Sequence, residues 1–250
     1  MKEEIVSIIM PAYNSRLYIQ EAIESVLLQS YPHWELLITD DCSSDNTQDI
    51  CRQYAEKDNR IKYFFLEKNS GVAMARNHSI ARAEGRYLAF LDSDDQWPPY
   101  KLSHQLAFMQ QNGHALSFTA YQWMSDRADA LGKIVTAPTK INYKGYLKNT
   151  IIGCLTVMID LKTVQNIEFP NIKTSQDMAL WLNLLKQEKY FYGLNEPLAF
   201  YRKNPKSNTS NKRKAALGVW HVYRQQEQLS FFSSLYNFTG YALHAFLKRV

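Results

Sequence analysis

Tyr87-Leu88-Ala89-Phe90-Leu91-Asp92-Ser93-Asp94-Asp95 sets five apolar residues directly before an acidic group. A short, unbroken apolar run of this kind reads as a strand buried on both faces, and the acidic group marks where it leaves the sheet. Ile5 to Met10, stopped by Pro11, reads as another buried strand, and further strands run from Glu35 to Thr39 and from Ile61 to Leu66. Helical spacing fills the intervals. Tyr18, Ala22 and Val26 form one line with Ile19, Ile23 and Leu27 beside it, a short helix passes through Ile50 and Tyr54, and another spans Val72 to Ala83. Strand and helix in alternation predict an α/β fold, a mostly parallel, doubly wound sheet flanked by helices, with ligands beyond the carboxyl ends of the strands.

The second half is less regular. Strand-like pieces at Ala115 to Trp123, Leu155 to Ile159 and Leu198 to Arg202, with a helix from Ser175 to Lys189, extend that sheet and cover one face. Neither an internal repeat nor a linker rich in Gly, Pro or Ser divides the chain. One domain is expected over residues 1–210, followed by a basic, aromatic, helical C-terminal extension over 211–250.

With 46% hydrophobic residues among 250, the chain can bury a sizeable core. Net charge is +5 and unevenly placed: between Arg202 and Val250 nine Lys and Arg stand against a single acid, Glu227, a balance suited to phosphate or anionic lipid. The same tail carries Phe231, Phe232, Leu235, Tyr236, Phe238 and Tyr241, the composition of an interfacial amphipathic helix, with core packing or dimerisation as alternatives. Cys42, Cys51 and Cys154 are odd in number and lack CxxC spacing, which argues against a disulfide framework or a zinc site and fits a reducing cytoplasm. Ile5 to Met10 is too short for a signal sequence, and no stretch approaches the ~20 apolar residues of a membrane span. A cytoplasmic protein, soluble or peripheral on a membrane, is expected.

If the backbone stays extended through Ser93, Asp92 and Asp94 project the same way. Two carboxylates on one side can hold a hard divalent cation, Mg²⁺ or Mn²⁺, whose shell water and substrate phosphates complete. The alternative is a set of turn residues ahead of the helix that Pro98 and Pro99 introduce. Asp40-Asp41-Cys42-Ser43-Ser44-Asp45 occupies the equivalent edge after the second strand. A carboxylate there, Asp41 above all, can accept from a uracil imide or from ribose hydroxyls, while Ser44 or Asp45 caps the next helix. Pro11-Ala12-Tyr13-Asn14 brings backbone groups and an aromatic ring to the same edge, so the two loops make a nucleoside slot; Tyr13 as a core ring is the alternative.

Asn69 to Asn77 opens a helix at Gly71 but contains no GxGxxG, so a dinucleotide fold is not supported. Arg76, one turn into that helix, either reaches a nucleotide diphosphate or is simply solvated. Asp177 lies in the first turn of a helix begun by Thr174-Ser175-Gln176, on the face that carries Leu180 and Trp181. It can act as a general base, or complete a capping box with Thr174. Tyr201-Arg202-Lys203, with Ser207, Ser210 and Asn211, forms a basic, hydroxyl-rich loop that either neutralises a leaving diphosphate or coats the surface.

Taken in order, Ser7 to Asn14, Asp40 to Asp45, Asn69 to Asn77, Asp92 to Asp95 and Gln176-Asp177 resemble glycosyltransferase family 2, whose members have the GT-A fold; the resemblance covers about residues 5 to 210. It implies Asp41 on the uracil, Asp92 and Asp94 on ribose and metal, and Asp177 as the base that takes the proton of the acceptor hydroxyl. With the loops above, the expected nucleotide-sugar site comprises Pro11, Tyr13, Asn14, Asp41, Arg76, Asp92, Ser93 and Arg202, and the metal ligand is Asp94. In-line attack on an α-linked donor would give a β-glycoside. Two positions depart from the family pattern: Gln176 stands where many members have Glu, and Cys42 where Gly or Asn is usual. QxxRW is absent after Asp177, so one sugar per encounter is expected.

Similarity to the small bacterial enzymes that build O-antigen, capsule or teichuronic acid implies UDP-glucose as donor, with UDP-galactose and the UDP-N-acetylhexosamines as alternatives. It implies a polyprenyl-diphosphate-linked saccharide as acceptor, attachment to the inner face of the bacterial cell membrane and no nucleic acid partner, and leaves a homodimer open. A nucleotidyltransferase would need a Gly-rich basic loop after the first strand, which Pro11 to Arg16 does not supply. A non-catalytic nucleotide-sugar- or glycan-binding module is the competing class.

Overall fold

The computed structural model describes residues 4–128, 131–203 and 212–247. Its strands are β1 (Val6–Ala12), β2 (Trp34–Asp40), β3 (Ile61–Phe65), β4 (Tyr87–Phe90), β5 (Leu116–Met124), β6 (Leu131–Val135), β7 (Lys140–Ile141), β8 (Met158–Asp160) and β9 (Phe191–Arg202). They form one sheet in the order β3-β2-β1-β4-β8-β5-β9-β7, with β6 paired to β5 outside that path. The first four strands are mutually parallel, Ile8 lying beside both Leu36 and Ala89. β8 runs antiparallel to its neighbours β4 and β5, and β5 and β9 are parallel again.

Alternation along these strands fills two cores. Ile9, Leu37, Leu88 and Phe90 point to one face, and Val6, Ile8, Met10, Leu36, Ile38 and Ala89 to the other. That is why the runs look continuously apolar: a strand covered by helices on both sides has no solvent face. The helices are α1 (Ile19–Leu27), α2 (Thr47–Lys57), α3 (Val72–Ile80), α4 (Lys101–Asn112), α5 (Tyr143–Lys148), α6 (Gln176–Gln187), α7 (Lys212–His221) and α8 (Phe231–Leu247), with a 3₁₀ turn at Cys154–Thr156 and a π-helical turn at Val222–Gln226. No described helix is long and apolar enough to cross a membrane.

Several boundaries differ from the sequence reading. β1 continues through Pro11 to Ala12, because past Ile9 it pairs with β2 alone. The expected strand at Leu155 to Ile159 is a 3₁₀ turn and then the short β8, and β9 begins at Phe191 rather than Leu198. β6, β7 and α5 were not foreseen. The expected boundary between 210 and 211 lies outside the described residues, as do Ser207, Ser210 and Asn211. Beyond it, Val219, Val222 and Tyr223 join the same core as Trp181, so the C-terminal part is packed onto the domain.

One buried group makes stability depend on pH. Lys101, in the first turn of α4, is fully buried and donates to Gln105 Oε1, with its ammonium 4.8 Å from the centroid of the Trp97 ring. Burial lowers its pKa from 10.5 to about 7. Between these values the unfolded chain binds the extra proton, so stability rises with pH through that window and is lowest below it. Lys101→Met is expected to stabilise the protein near pH 7 by up to about 4 kcal/mol and to flatten that dependence. Urea unfolding at pH 7 and pH 9 checks both; an unchanged pH slope would sink the assignment.

Candidate active site

The carboxyl ends of β1, β2 and β4 meet at one edge, and their loops are fastened together. Asn14 N–H donates to Ser43 Oγ (2.8 Å), Ser44 N–H to Asn14 Oδ1 (2.9 Å) and Ser15 N–H to Thr47 Oγ1 (2.8 Å). Tyr13 is 52% exposed at this seam, so its ring is not part of the core. Pro11, last but one in β1, is buried below it. The N-cap of α2 is Asn46 without a side-chain bond; Asp45 instead accepts the Thr47 N–H at 3.0 Å. Cys42 has φ +64°, the left-handed region that Gly and Asn enter at low cost. Cys42 adopts this backbone with strain, where the resemblance led to Gly or Asn being expected.

Asp41 is 3% exposed and accepts the N–H groups of Ser70 (2.7 Å) and Gly71 (2.8 Å). The carboxylate expected to read uracil therefore also ties the start of α3 to the end of β2, and Gly71 supplies the φ of +92° that this turn requires.

After β4 the chain turns at once, Asp95 N–H donating to Asp92 O at 3.1 Å, so the backbone does not stay extended through Ser93 and the turn alternative describes it. The two carboxylates are nevertheless near neighbours electrically: burial, and next the charge of Asp92, raise the Asp94 pKa to about 6. Ser93 Oγ lies 2.7 Å from Ser15 Oγ, locking this turn to the β1 loop. Arg76 is not solvated. It is 6% exposed, donates to Asp92 Oδ1 at 2.5 Å, and packs its guanidinium 5.0 Å from the Phe169 ring centroid, while its buried Nε has no partner.

Asp92 and Asp94 fit a hard dication: both are oxygen donors at a partly open edge, and a cation would relieve their mutual repulsion. No group of three or more His, Cys, Asp or Glu among the described residues could hold a metal by itself, so water and phosphate oxygens would complete the shell.

α6 begins at Gln176 with Ser175 as N-cap and no side-chain capping bond, so no capping box joins Thr174 to Asp177. The Asp177 carboxylate accepts the N–H of Met178 at 2.8 Å. Burial raises its pKa; Arg76 and that N–H oppose the rise, and Asp92 adds to it. Asp92, Arg76 and Asp177 thus form one electrostatic group. Beneath it Trp181 is fully buried, meeting Phe90, Phe169 and Phe191 edge-on at 5.7, 5.9 and 5.7 Å. From behind, Gly218 of α7 lies on the turn before Asp177, where a Cβ would stand 2.4 Å from Thr174 Oγ1.

Arg202 departs most from expectation. It is the last residue of β9, 2% exposed, and not part of an open basic loop. Its Nε donates to Asp94 O (2.7 Å), one terminal nitrogen to Glu21 Oε2 (2.5 Å), the other to Asp126 O, and its own N–H to Asp95 Oδ1 (2.8 Å). Glu21 and Asp126, which hold Arg202, and Phe169, which packs on Arg76, carry no sequence signal for these roles.

The model of Glycosyl transferase family 2 matches residues 7–159. The chain belongs to this family. It is 51% identical over 246 residues, 98% of both chains, to TuaG of Bacillus subtilis (strain 168), whose name assigns it to teichuronic acid biosynthesis. It is 40% identical over 223 residues to WfgD of Escherichia coli, named a UDP-Glc:α-D-GlcNAc-diphosphoundecaprenol β-1,3-glucosyltransferase, covering 89% of this chain and 86% of that one. Among solved structures it matches S. aureus TarS 1–349 in complex with UDP-GlcNAc at TM-score 0.73 and 20% identity, over 97% of this chain and 72% of that one. This family 2 glycosyltransferase therefore has the GT-A fold that its motif order implied, and the reading as an enzyme stands.

Proposed function

We propose that the chain transfers a single hexose from a UDP-sugar to a saccharide carried on polyprenyl diphosphate, with inversion to a β-linkage, for a bacterial surface polysaccharide. The observation that carries this reading is the placement of Arg76 against Asp92 and within the field of Asp177, which joins the expected donor site to the expected base. Tyr13, Asn14 and Asp41 line the nucleoside end, with Pro11 and Ser93 as backbone support. Arg76, whose Nε is buried and unpartnered, is suited to a phosphate or ribose oxygen. Asp94 with Asp92 would hold Mg²⁺ or Mn²⁺, which when bound supplies positive charge beside the departing diphosphate. Asp177 takes the proton of the acceptor hydroxyl as that oxygen bonds to the anomeric carbon; the anomeric bond to the diphosphate breaks on the opposite face, and UDP leaves. WfgD supports UDP-glucose and a lipid-diphosphate acceptor, with UDP-galactose or a UDP-N-acetylhexosamine as alternative donors. A lipid-linked acceptor places the enzyme at the inner face of the cell membrane.

The test is UDP release and transfer with a panel of UDP-sugars and a synthetic sugar-diphosphate-lipid acceptor. One UDP-hexose should give a β-linked product dependent on added Mn²⁺ or Mg²⁺, and Asp94→Ala should weaken metal-dependent donor binding by about 100-fold. Full activity in chelator, or an α-linked product, would overturn the reading. Donor binding without UDP release under any condition would favour the binding module instead.

A further inference from the structure

α8 turns its apolar side outward. At 3.6 residues per turn, Phe231, Leu235, Phe232, Leu243 and Tyr236 fall within one arc of about 140°. All five are exposed, Phe232 by 82%, and no Asp, Glu, Lys or Arg occurs in the helix. The opposite side mixes the buried Ser234 and Asn237 with Phe238 and Tyr241, which pack against the core. This side seats α8 on the protein, with Gly240 against the Lys148 side chain and Trp220 of α7 edge-on to Phe238 at 5.7 Å. A helix that buries Ser234 and Asn237 while Phe231 and Phe232 stay more than half exposed presents an apolar face to solvent.

The surroundings are cationic. Glu227, the single acid beyond Arg202, accepts from the Tyr143 hydroxyl at 2.5 Å and pairs with Lys186 at 2.8 Å. Lys148 Nζ sits at the rim of the arc, donating to the Tyr236 hydroxyl at 3.1 Å, and α7 exposes Arg213 and Leu217. We infer that this face docks on an anionic lipid bilayer, its aromatic arc seated at the headgroup boundary and its cations among the phosphates. A second copy of the chain suits it less, because a two-fold interface would bring the Lys148 and Arg213 cations of one copy toward those of the other. Since Gly218 of α7 packs on the turn before Asp177, docking would also fix the orientation of the site relative to the bilayer. The inference stands on this surface and does not need the proposed donor chemistry.

Co-sedimentation of the whole chain with vesicles of phosphatidylcholine, with and without phosphatidylglycerol, tests it. Binding should require the anionic lipid, weaken as salt rises, and fall by at least about 10-fold in the double variant Phe232→Glu, Leu235→Glu. Both side chains are on the surface, so circular dichroism and UDP release without acceptor should stay at wild-type levels. Equal partition of wild type and variant, or a wild-type dimer that the variant dissociates in sedimentation velocity, would overturn the docking surface. Vesicle binding that persists while no UDP-sugar is turned over would leave this surface standing and count against the proposed reaction alone.

Discussion

Asp177→Asn is expected to keep the fold and donor affinity and to lower turnover by about 10²–10⁴-fold. The amide has the shape of the carboxylate and still offers an oxygen to the Met178 N–H, so the start of α6 need not move. What it cannot do is take a proton. Its charge also matters, because the negative charge of Asp177 lies in the field of Arg76 and Asp92. Removing it leaves the Arg76 cation less compensated, so UDP affinity should hold or improve slightly while kcat collapses. In the wild type, burial sets the Asp177 pKa above its ordinary 3.8 against the pull of Arg76. The acid limb of kcat against pH should therefore lie above the usual carboxylate range and be absent from the residual activity of the variant. Stopped-time UDP release from pH 4.5 upward and calorimetry with UDP measure both. If kcat stays within a few-fold of wild type, or UDP binding is lost together with it, Asp177 is not the base.

The parts legible in the sequence are those written over short range. β1, β2 and β4 appear as apolar runs because both faces of each are covered, while the edge strand β3 is only half-buried, and the carboxylates and turn residues that end β1, β2 and β4 follow directly on those runs. The first half of β9 escaped because Tyr192, Gly193, Asn195, Glu196 and Pro197 make it look like a loop; its pairing with β5, 70-odd residues earlier, holds it extended, as the match of Ser117 with Tyr192 shows. β8 is short and takes its place from two antiparallel neighbours. Within the site, the residue types were readable but their partners were not. Arg76 looks like any helical arginine until α3 is laid on the sheet, 16 residues from Asp92 in sequence and 2.5 Å away in space. Arg202 is the extreme case, with acceptors 76, 108 and 181 residues distant. Sequence alone offered it a leaving diphosphate or a place in a plain surface loop, since none of these distant acceptors is visible beside it.

That relocation leads to the second large effect. Arg202→Met is expected to destabilise the protein by on the order of 3 kcal/mol and to weaken donor binding as a consequence of disorder in the Asp92–Asp95 turn, with no change in the identity of the preferred donor. Methionine fills much of the volume but donates nothing, so the carbonyls of Asp94 and Asp126, both met by the guanidinium, lose their donors at a site where the arginine is 2% exposed. A buried carbonyl left without a donor costs about 1–3 kcal/mol; Asp94 is half-buried and Asp126 exposed, so the loss of the second contributes less. Glu21 retains the amide of Gln96, and its side chain is 42% exposed, so its share of the loss is small. The cation also lowers the Asp94 pKa against burial and Asp92, so its removal pushes that carboxyl further toward the protonated form and makes metal-dependent donor binding more sensitive to acid. Arg202→Lys restores the charge but reaches one acceptor rather than three, and should recover part of the pH tolerance and little of the stability. A surface arginine contacting diphosphate would behave in the opposite way, with unfolding unchanged and UDP affinity lost directly. Urea unfolding and UDP titration on the same two variants separate these cases, and a stability loss under about 0.5 kcal/mol would return Arg202 to the substrate.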